Sequence, residues 1–124
     1  FVDNIENLTL QNSNYRKVIF TGQHSQLVMM CRKPSENIHM EVHPNVDQFF
    51  RIEQGNAKFI INGQEHLVQS EFAVIVPAGA EHEVINVGDT DLKLYTIYSP
   101  ANHPDGTVNQ TMADAEEYEK SREE

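Results

Sequence analysis

The chain has 124 residues, of which 39% are apolar and 23% are charged, a composition typical of a globular domain with its own core. Its net charge of −10 repels nucleic-acid phosphates and anionic lipids, so neither nucleic acid nor membrane is an expected partner. A single cysteine, Cys31, excludes an internal disulfide. No segment approaches the roughly 20 apolar residues that span a bilayer, and residues 1–4 lack signal-peptide character, so we predict a cytoplasmic protein.

Short β-like segments follow one another from Tyr15 to Ser99. They are rich in Val, Ile, Phe and Tyr and are separated by turn residues, a pattern typical of a sandwich or barrel. Asn62-Gly63 favours a type I′ hairpin, since both positions of that turn need positive φ. The predicted strands are 15–20, 26–32, 38–43, 48–53, 57–61, 65–68, 73–76, 82–87 and 92–98.

Only the end of the chain is predicted to be helical. Pro100 to Gly106 has the composition of a loop, and Thr111 with Asp114 three residues later forms a capping box for a following helix. We therefore predict one domain over residues 1–124. Its core covers about residues 15–100, and a C-terminal loop and helix cover residues 101–124.

Several metal-ligating side chains occur at strand spacing. Because alternate side chains of a strand share a face, His39, Glu41 and His43 are expected to point the same way. His82 follows a separate turn, and Gln48 begins the next strand either as a weak fourth ligand or as a hydrogen-bonding partner. Two histidines and one carboxylate form the ligand set of non-haem Fe(II) oxygenases. With a divalent ion such a site is positive, which favours an anionic or chelating substrate.

His39, Tyr95 and His103 are further candidates for catalysis. His39 is either a base beside the metal or a partly exposed polar residue. Tyr95 and Tyr98 lie on opposite strand faces, so at most one of them reaches the site. His103 is either a general acid on a lid or an unremarkable loop residue.

These blocks resemble the paired motifs of the cupin superfamily over about residues 26–100. The second motif is matched by Pro77, Gly79, His82 and Asn86, with Glu71 in place of its leading glycine. In the first motif His43 and Gly55 match, whereas Glu41 and Gln48 stand where His and Glu are usual. This variant, with the segment 94–100, is similar to small single-domain cupins likened to mannose-6-phosphate isomerase.

The resemblance implies an all-β, single-domain cupin jelly-roll β-barrel, usually a homodimer, with a short C-terminal helix. It also implies one divalent metal ion (Fe, Mn, Zn or Ni) held by Glu41, His43, Gln48 and His82. We expect a metal-dependent enzyme acting on a small polar substrate, sugar-like or bearing a carbonyl or carboxylate, as an isomerase or epimerase or as a dioxygenase. The alternative is a non-catalytic cupin that binds a small molecule, because this superfamily includes enzymes of several classes and non-catalytic binders.

Overall fold

Two antiparallel sheets face each other across an apolar core in this computed structural model, which describes residues 1–123. Glu124, the last residue of the predicted domain, lies outside the described residues. The helices are α1 (Ile5–Gln11) and α2 (Met112–Glu123). The strands are β1 (Arg16–Thr21), β2 (Gln26–Arg32), β3 (Asn37–Val42), β4 (Asp47–Gln54), β5 (Asn56–Ile61), β6 (Gln64–Gln69), β7 (Ala73–Val76), β8 (Glu81–Asn86), β9 (Leu92–Ser99) and β10 (Val108–Asn109).

The sheet order is β10-β1-β2-β9-β4-β7 in one layer and β3-β8-β5-β6 in the other. All nine predicted strands are present, with bounds that agree within one residue. Alternation places one face of each sheet inward, where Val28, Phe50, Phe59, Val84 and Leu94 are almost completely buried. No helix among the described residues is long and apolar enough to cross a membrane.

Helix α1 was not predicted, because its seven residues carry no apolar repeat that identifies a helix. The one local feature that marks the start of this helix is its N-cap, where the Asn4 side chain accepts a hydrogen bond from the Asn7 amide at 3.0 Å. The helix contacts the outer face of β2, where Thr9 Oγ1 lies 4.0 Å from the sulfur of Met29. This cover explains why every residue of β2 is buried, on both faces of the strand.

The C-terminal helix α2 begins where its cap predicted. The Asp114 amide donates to Thr111 Oγ1 at 3.1 Å, which satisfies one of the free amides of the first turn. Arg16 of β1 donates to Glu119 at 3.0 Å and so ties the helix to the six-stranded sheet. Strand β10, which was missed because it has only two residues, pairs with β1 just before this helix.

Two glycines hold turns that other residues would strain, and they differ in the space around them. Gly63 follows Asn62 in the predicted hairpin at φ +81°, and no atom would contact an added Cβ. Gly55 has φ +97°, and an added Cβ would lie 3.1 Å from the Asp91 carbonyl oxygen and 3.2 Å from the Leu92 Cα. A side chain at position 55 is therefore disfavoured by both the backbone conformation and the lack of space. At position 63 only the backbone conformation disfavours it.

We expect Gly63→Ala to lower the free energy of unfolding by about 1–2 kcal/mol, the cost of a left-handed backbone for an L residue. Gly55→Ala adds a clash with backbone atoms that cannot move aside easily, so its loss will be larger. Urea denaturation of both variants measures the difference. Equal losses would show that the close approach at Gly55 is not an additional constraint.

Candidate metal centre

Polar side chains replace apolar ones at one end of the space between the sheets. On β4 the inward residues are Gln48 and then Phe50, and on β9 their partners in register are Tyr98 and Thr96. Opposite them, β8 contributes His82, which is 1% exposed. The strand pattern therefore produces a buried polar cluster at the end of an otherwise apolar core.

Three of the predicted ligands converge in this cluster. Glu41 and His82 are direct partners across the β3–β8 pair, and His43 follows Glu41 by two residues. His43 Nε2 lies 3.0 Å from the Glu41 carboxylate, and His82 Nε2 lies 4.0 Å from the same oxygen. One ligand atom from each of the three residues lies within 4.8 Å of the others. Small side-chain adjustments would bring donors this close together to one ion at about 2.0–2.2 Å.

The buried His82 side chain has the surroundings expected of a metal ligand. Neither of its ring nitrogens finds a hydrogen-bond partner of normal geometry among the described residues, although both are buried. The ring packs against Phe50, with centroids 6.0 Å apart, so the apolar wall predicted at this position is present. Burial lowers the pKa of His82 and outweighs the opposing effect of Glu41. The imidazole is therefore neutral near pH 7, which leaves a nitrogen lone pair for a metal.

For Glu41, neighbouring groups together affect the pKa more strongly than burial does, in contrast to His82. Burial works against its ionisation, but the hydrogen bond and charge of His43 outweigh burial and lower the carboxyl pKa. Arg16 and His82 act in the same direction as His43. The site thus offers an ionised carboxylate beside a neutral imidazole, the protonation states that a metal ion requires.

Gln48 is oriented by Thr96, a residue that was not among the predicted site residues. Its amide nitrogen donates to Thr96 Oγ1 at 3.0 Å, and that hydroxyl donates to the Phe49 carbonyl at 2.8 Å. The Gln48 carbonyl oxygen is then left buried with no partner within the described part of the chain. This arrangement reserves the amide oxygen as an acceptor. The register of β4 against β9 is the signal that locates Thr96, and it becomes evident only in the folded chain.

We expect Thr96→Val to weaken metal binding by about tenfold, because the isosteric change frees the Gln48 amide to rotate. Thr96→Ser keeps the hydroxyl and is the matched control, which should bind as the unchanged protein does. Calorimetric titration of a divalent metal into each protein measures the effect. Unchanged affinity in Thr96→Val would contradict a role for Gln48 at the site.

The structure does not bring His39 or Tyr95 to this cluster. The pairing of β3 with β8 shifts register between Ile38 and Glu41, and the irregularity interrupts the alternation of faces. The expectation that His39 shares a face with Glu41 is therefore wrong: the His39 side chain is 53% exposed and lies 3.3 Å from Glu116 of α2. The Tyr95 ring packs near Phe49 on the outer face of its sheet.

Tyr98, on the opposite face from Tyr95, is the tyrosine at the site. It is 1% exposed, and its ring meets that of His43 edge to face with centroids 5.8 Å apart. Burial, reinforced by Glu41, raises the pKa of the Tyr98 phenol, which therefore stays protonated. Asn86, the last residue of the second motif, instead organises a turn: it accepts a hydrogen bond from the Gly88 amide at 2.9 Å.

His103 lies beside Tyr98, in the loop between β9 and β10. It is 7% exposed, with Nε2 3.4 Å from the Tyr98 hydroxyl and Nδ1 3.0 Å from the Tyr118 hydroxyl of α2. Burial, with Arg16 and Arg122 nearby, lowers the pKa of His103 to about 3. This histidine is therefore neutral at physiological pH and belongs to the surroundings of the cluster.

Acidification should destabilise the fold partly through His103. Its pKa is about 3 when folded and about 6.5 when unfolded, so between these values the unfolded chain binds more protons. The free energy of unfolding therefore falls as pH is lowered through that window. We expect His103→Gln to lose less stability than the unchanged protein when urea denaturation is repeated at decreasing pH. His24→Gln, at an exposed position, is the control, and identical slopes for all three proteins would contradict this expectation.

A pocket of about 300 Å³ opens onto the cluster. Its walls come from Glu41 and His43, from the loop residues Asn102 and His103, and from Arg122 of α2. Another groove, of about 360 Å³, is lined near Leu67 and Phe72 and has no ionisable side chain among its described lining residues. Of these two cavities, only the first is lined by metal-ligating side chains of the cluster.

Residues 28–98 match the family Cupin_2, described as a cupin domain. The chain belongs to the cupin family. A Bacillus subtilis relative, YrkC, is 49% identical in an alignment of 122 positions that covers 93% of this cupin and 65% of YrkC, so this cupin spans just under two thirds of that relative. Protein L612 of Acanthamoeba polyphaga mimivirus is 46% identical in an alignment of 114 positions that covers 88% of this cupin and 71% of L612.

A solved structure agrees with the fold of this cupin. The crystal structure of BH2720 from Bacillus halodurans superimposes with a TM-score of 0.93 at 39% identity, covering 94% of this cupin and 93% of BH2720. The predicted cupin jelly roll with its short C-terminal helix is thereby confirmed. The narrower likeness to mannose-6-phosphate isomerase stays a prediction.

Proposed function

We propose that this cupin is a metal-dependent enzyme that acts on a small polar molecule. The observation that carries the proposal is the convergence of Glu41, His43 and His82 beside an open pocket, with the buried Nε2 of His82 lacking a hydrogen-bond partner among the described residues. Buried polar atoms without partners are costly, and a metal ion is the partner that satisfies an imidazole, a carboxylate and a second imidazole together.

The residues present fit one divalent ion. Glu41, His43 and His82 would hold it, and the reserved oxygen of Gln48 is the proposed fourth ligand. One carboxylate and three neutral donors suit Fe, Mn, Zn or Ni, whose relative availability selects among them. When bound, such an ion supplies Lewis-acid chemistry at a carbonyl or enediol oxygen or, as Fe(II), the capacity to react with O₂.

The other side chains of the site have roles that do not depend on the identity of the metal. Phe50 excludes water from the inner side of His82. Tyr98 keeps its proton and packs the edge of its ring system against His43, which helps to hold that ligand in place. The pocket, at about 300 Å³, matches a molecule at the small end of the usual range for bound ligands.

Metal content and turnover test the proposal together. Plasma mass spectrometry on untagged protein is expected to show near-stoichiometric metal that is lost in Glu41→Ala, while Glu65→Ala, at an exposed position of β6, keeps it.

The metal-loaded protein is then incubated with a panel of sugars, carbonyl compounds and carboxylic acids. Product formation that disappears in Glu41→Ala supports an enzyme. Thermal stabilisation by a panel member without any product would instead identify a non-catalytic binder, and absence of metal after reconstitution would refute the site.

A further inference from the structure

Arg122 places a guanidinium group in the wall of the metal pocket. Its Nη1 donates to the Tyr118 hydroxyl at 3.0 Å and lies 3.3 Å from His103 Nδ1. Its Nη2 donates to the Asn102 carbonyl at 3.1 Å. These contacts join the last turn of α2 to the loop that follows β9, and they fix the guanidinium at the edge of the cavity.

Arg122 has no carboxylate partner among residues 1–122. Its hydrogen-bond partners in that range are all neutral, and no carboxylate there lies within 4.0 Å of it. Besides Glu41, the acidic residue that lines this pocket is Glu119, and its carboxylate is paired with Arg16 at 3.0 Å. A divalent ion beside Glu41 would leave a local charge of about +1, and Arg122 would add one more. With the ion bound, the pocket would therefore be positive in a protein whose net charge is −10.

The neutral state of His103 keeps Arg122 in place. An arginine nitrogen can only donate, so the Nδ1 atom facing Arg122 must be the acceptor, and the ring proton belongs on Nε2. That proton points to the Tyr98 hydroxyl, whose oxygen lies 3.4 Å from Nε2. Tyr98 then accepts a hydrogen bond from His103.

We propose that the pocket selects small ligands that carry a carboxylate, which pairs with Arg122 while a neighbouring hydroxyl or carbonyl oxygen faces the metal ligands. This inference rests on the proposed function, because it requires metal at Glu41, His43 and His82. Guanidinium and carboxylate form paired, charge-assisted hydrogen bonds, a geometry that an uncharged sugar does not offer. Arg122 and Glu41 line the same cavity of about 300 Å³, so one small molecule can contact both ends of the site.

The test compares two ligands that differ only in charge. Lactate and its neutral analogue lactamide are titrated calorimetrically into the metal-loaded protein. We expect lactate to bind and lactamide to bind about tenfold more weakly or not at all. Arg122→Gln should weaken lactate by a similar factor and leave lactamide unchanged, whereas Arg122→Lys should retain part of the affinity. Lys120→Gln removes the same charge from an exposed position of α2 outside the pocket and should change neither titration.

Metal titration of each variant, carried out first, separates the two hypotheses. Arg122→Gln should bind metal as the unchanged protein does, since Arg122 is not a ligand. If the unchanged protein binds no metal, the proposed function fails and this inference fails with it. If metal binds normally but lactate does not bind at millimolar concentration, binds no better than lactamide, or is equally affected by Lys120→Gln, the carboxylate site is refuted and the metal centre stands.

Discussion

Replacing His82 by alanine will weaken divalent-metal binding by more than about a hundredfold, because a buried ligand is lost from a set of three or four. Its Nε2 is buried 4.0 Å from the Glu41 carboxylate and has no hydrogen-bond partner among the described residues, so this atom is free to bind an ion. The effect should appear as a lost thermal shift. Metal at a hundred times its dissociation constant adds about 2.7 kcal/mol to the stability of the native state.

Calorimetry and thermal melts with and without metal measure this change. His66→Ala is the matched control, because His66 is an exposed histidine on β6 and should keep both the affinity and the shift. A metal-dependent shift that survives in His82→Ala would place the ion elsewhere on the protein.

Phe50→Ala should produce the second large effect, on stability and on the site together. Phe50 is fully buried, packs edge to face on Phe59 with centroids 5.0 Å apart and supports the His82 ring. Removing a buried aromatic ring typically costs about 3–5 kcal/mol, because the cavity collapses only in part. We also expect weaker metal binding, since His82 loses the wall that fixes its orientation.

Phe49→Ala provides the comparison for this measurement. Phe49 is the neighbouring residue of β4, but it faces outward and is only partly buried. Its loss in urea denaturation should stay below about 2 kcal/mol, and metal affinity should not change. Equal losses in the two variants would contradict the assignment of the inward face of β4.

Much of the fold follows from local pattern. The strands alternate apolar and polar residues between strong turn signals, so their bounds could be predicted closely, as could the Asn62-Gly63 hairpin, whose two residues both have positive φ. The partners Glu41, His43 and His82 could also be predicted as a cluster. Helix α1 and strand β10 were missed because both are short and their stability depends on tertiary contacts.

The surroundings of the site could not be predicted, because they depend on register and on long-range contact. The register shift in β3 turns His39 away, and no residue of that strand identifies it in advance. The pairing of β4 with β9 brings Thr96 to Gln48, although they are separated by 48 residues. Arg122 reaches His103 only because α2 folds back over the loop.

Anomalous diffraction from crystals of the metal-loaded protein is the most direct test of whether Glu41, His43 and His82 hold the metal ion. Data collected on both sides of the absorption edge of the added metal locate the ion without assuming its position. We predict one strong peak within about 2.0–2.3 Å of Glu41, His43 and His82, with the Gln48 amide oxygen as the fourth protein ligand. A peak at other residues, or a fully loaded solution with no peak at these three side chains, would contradict it.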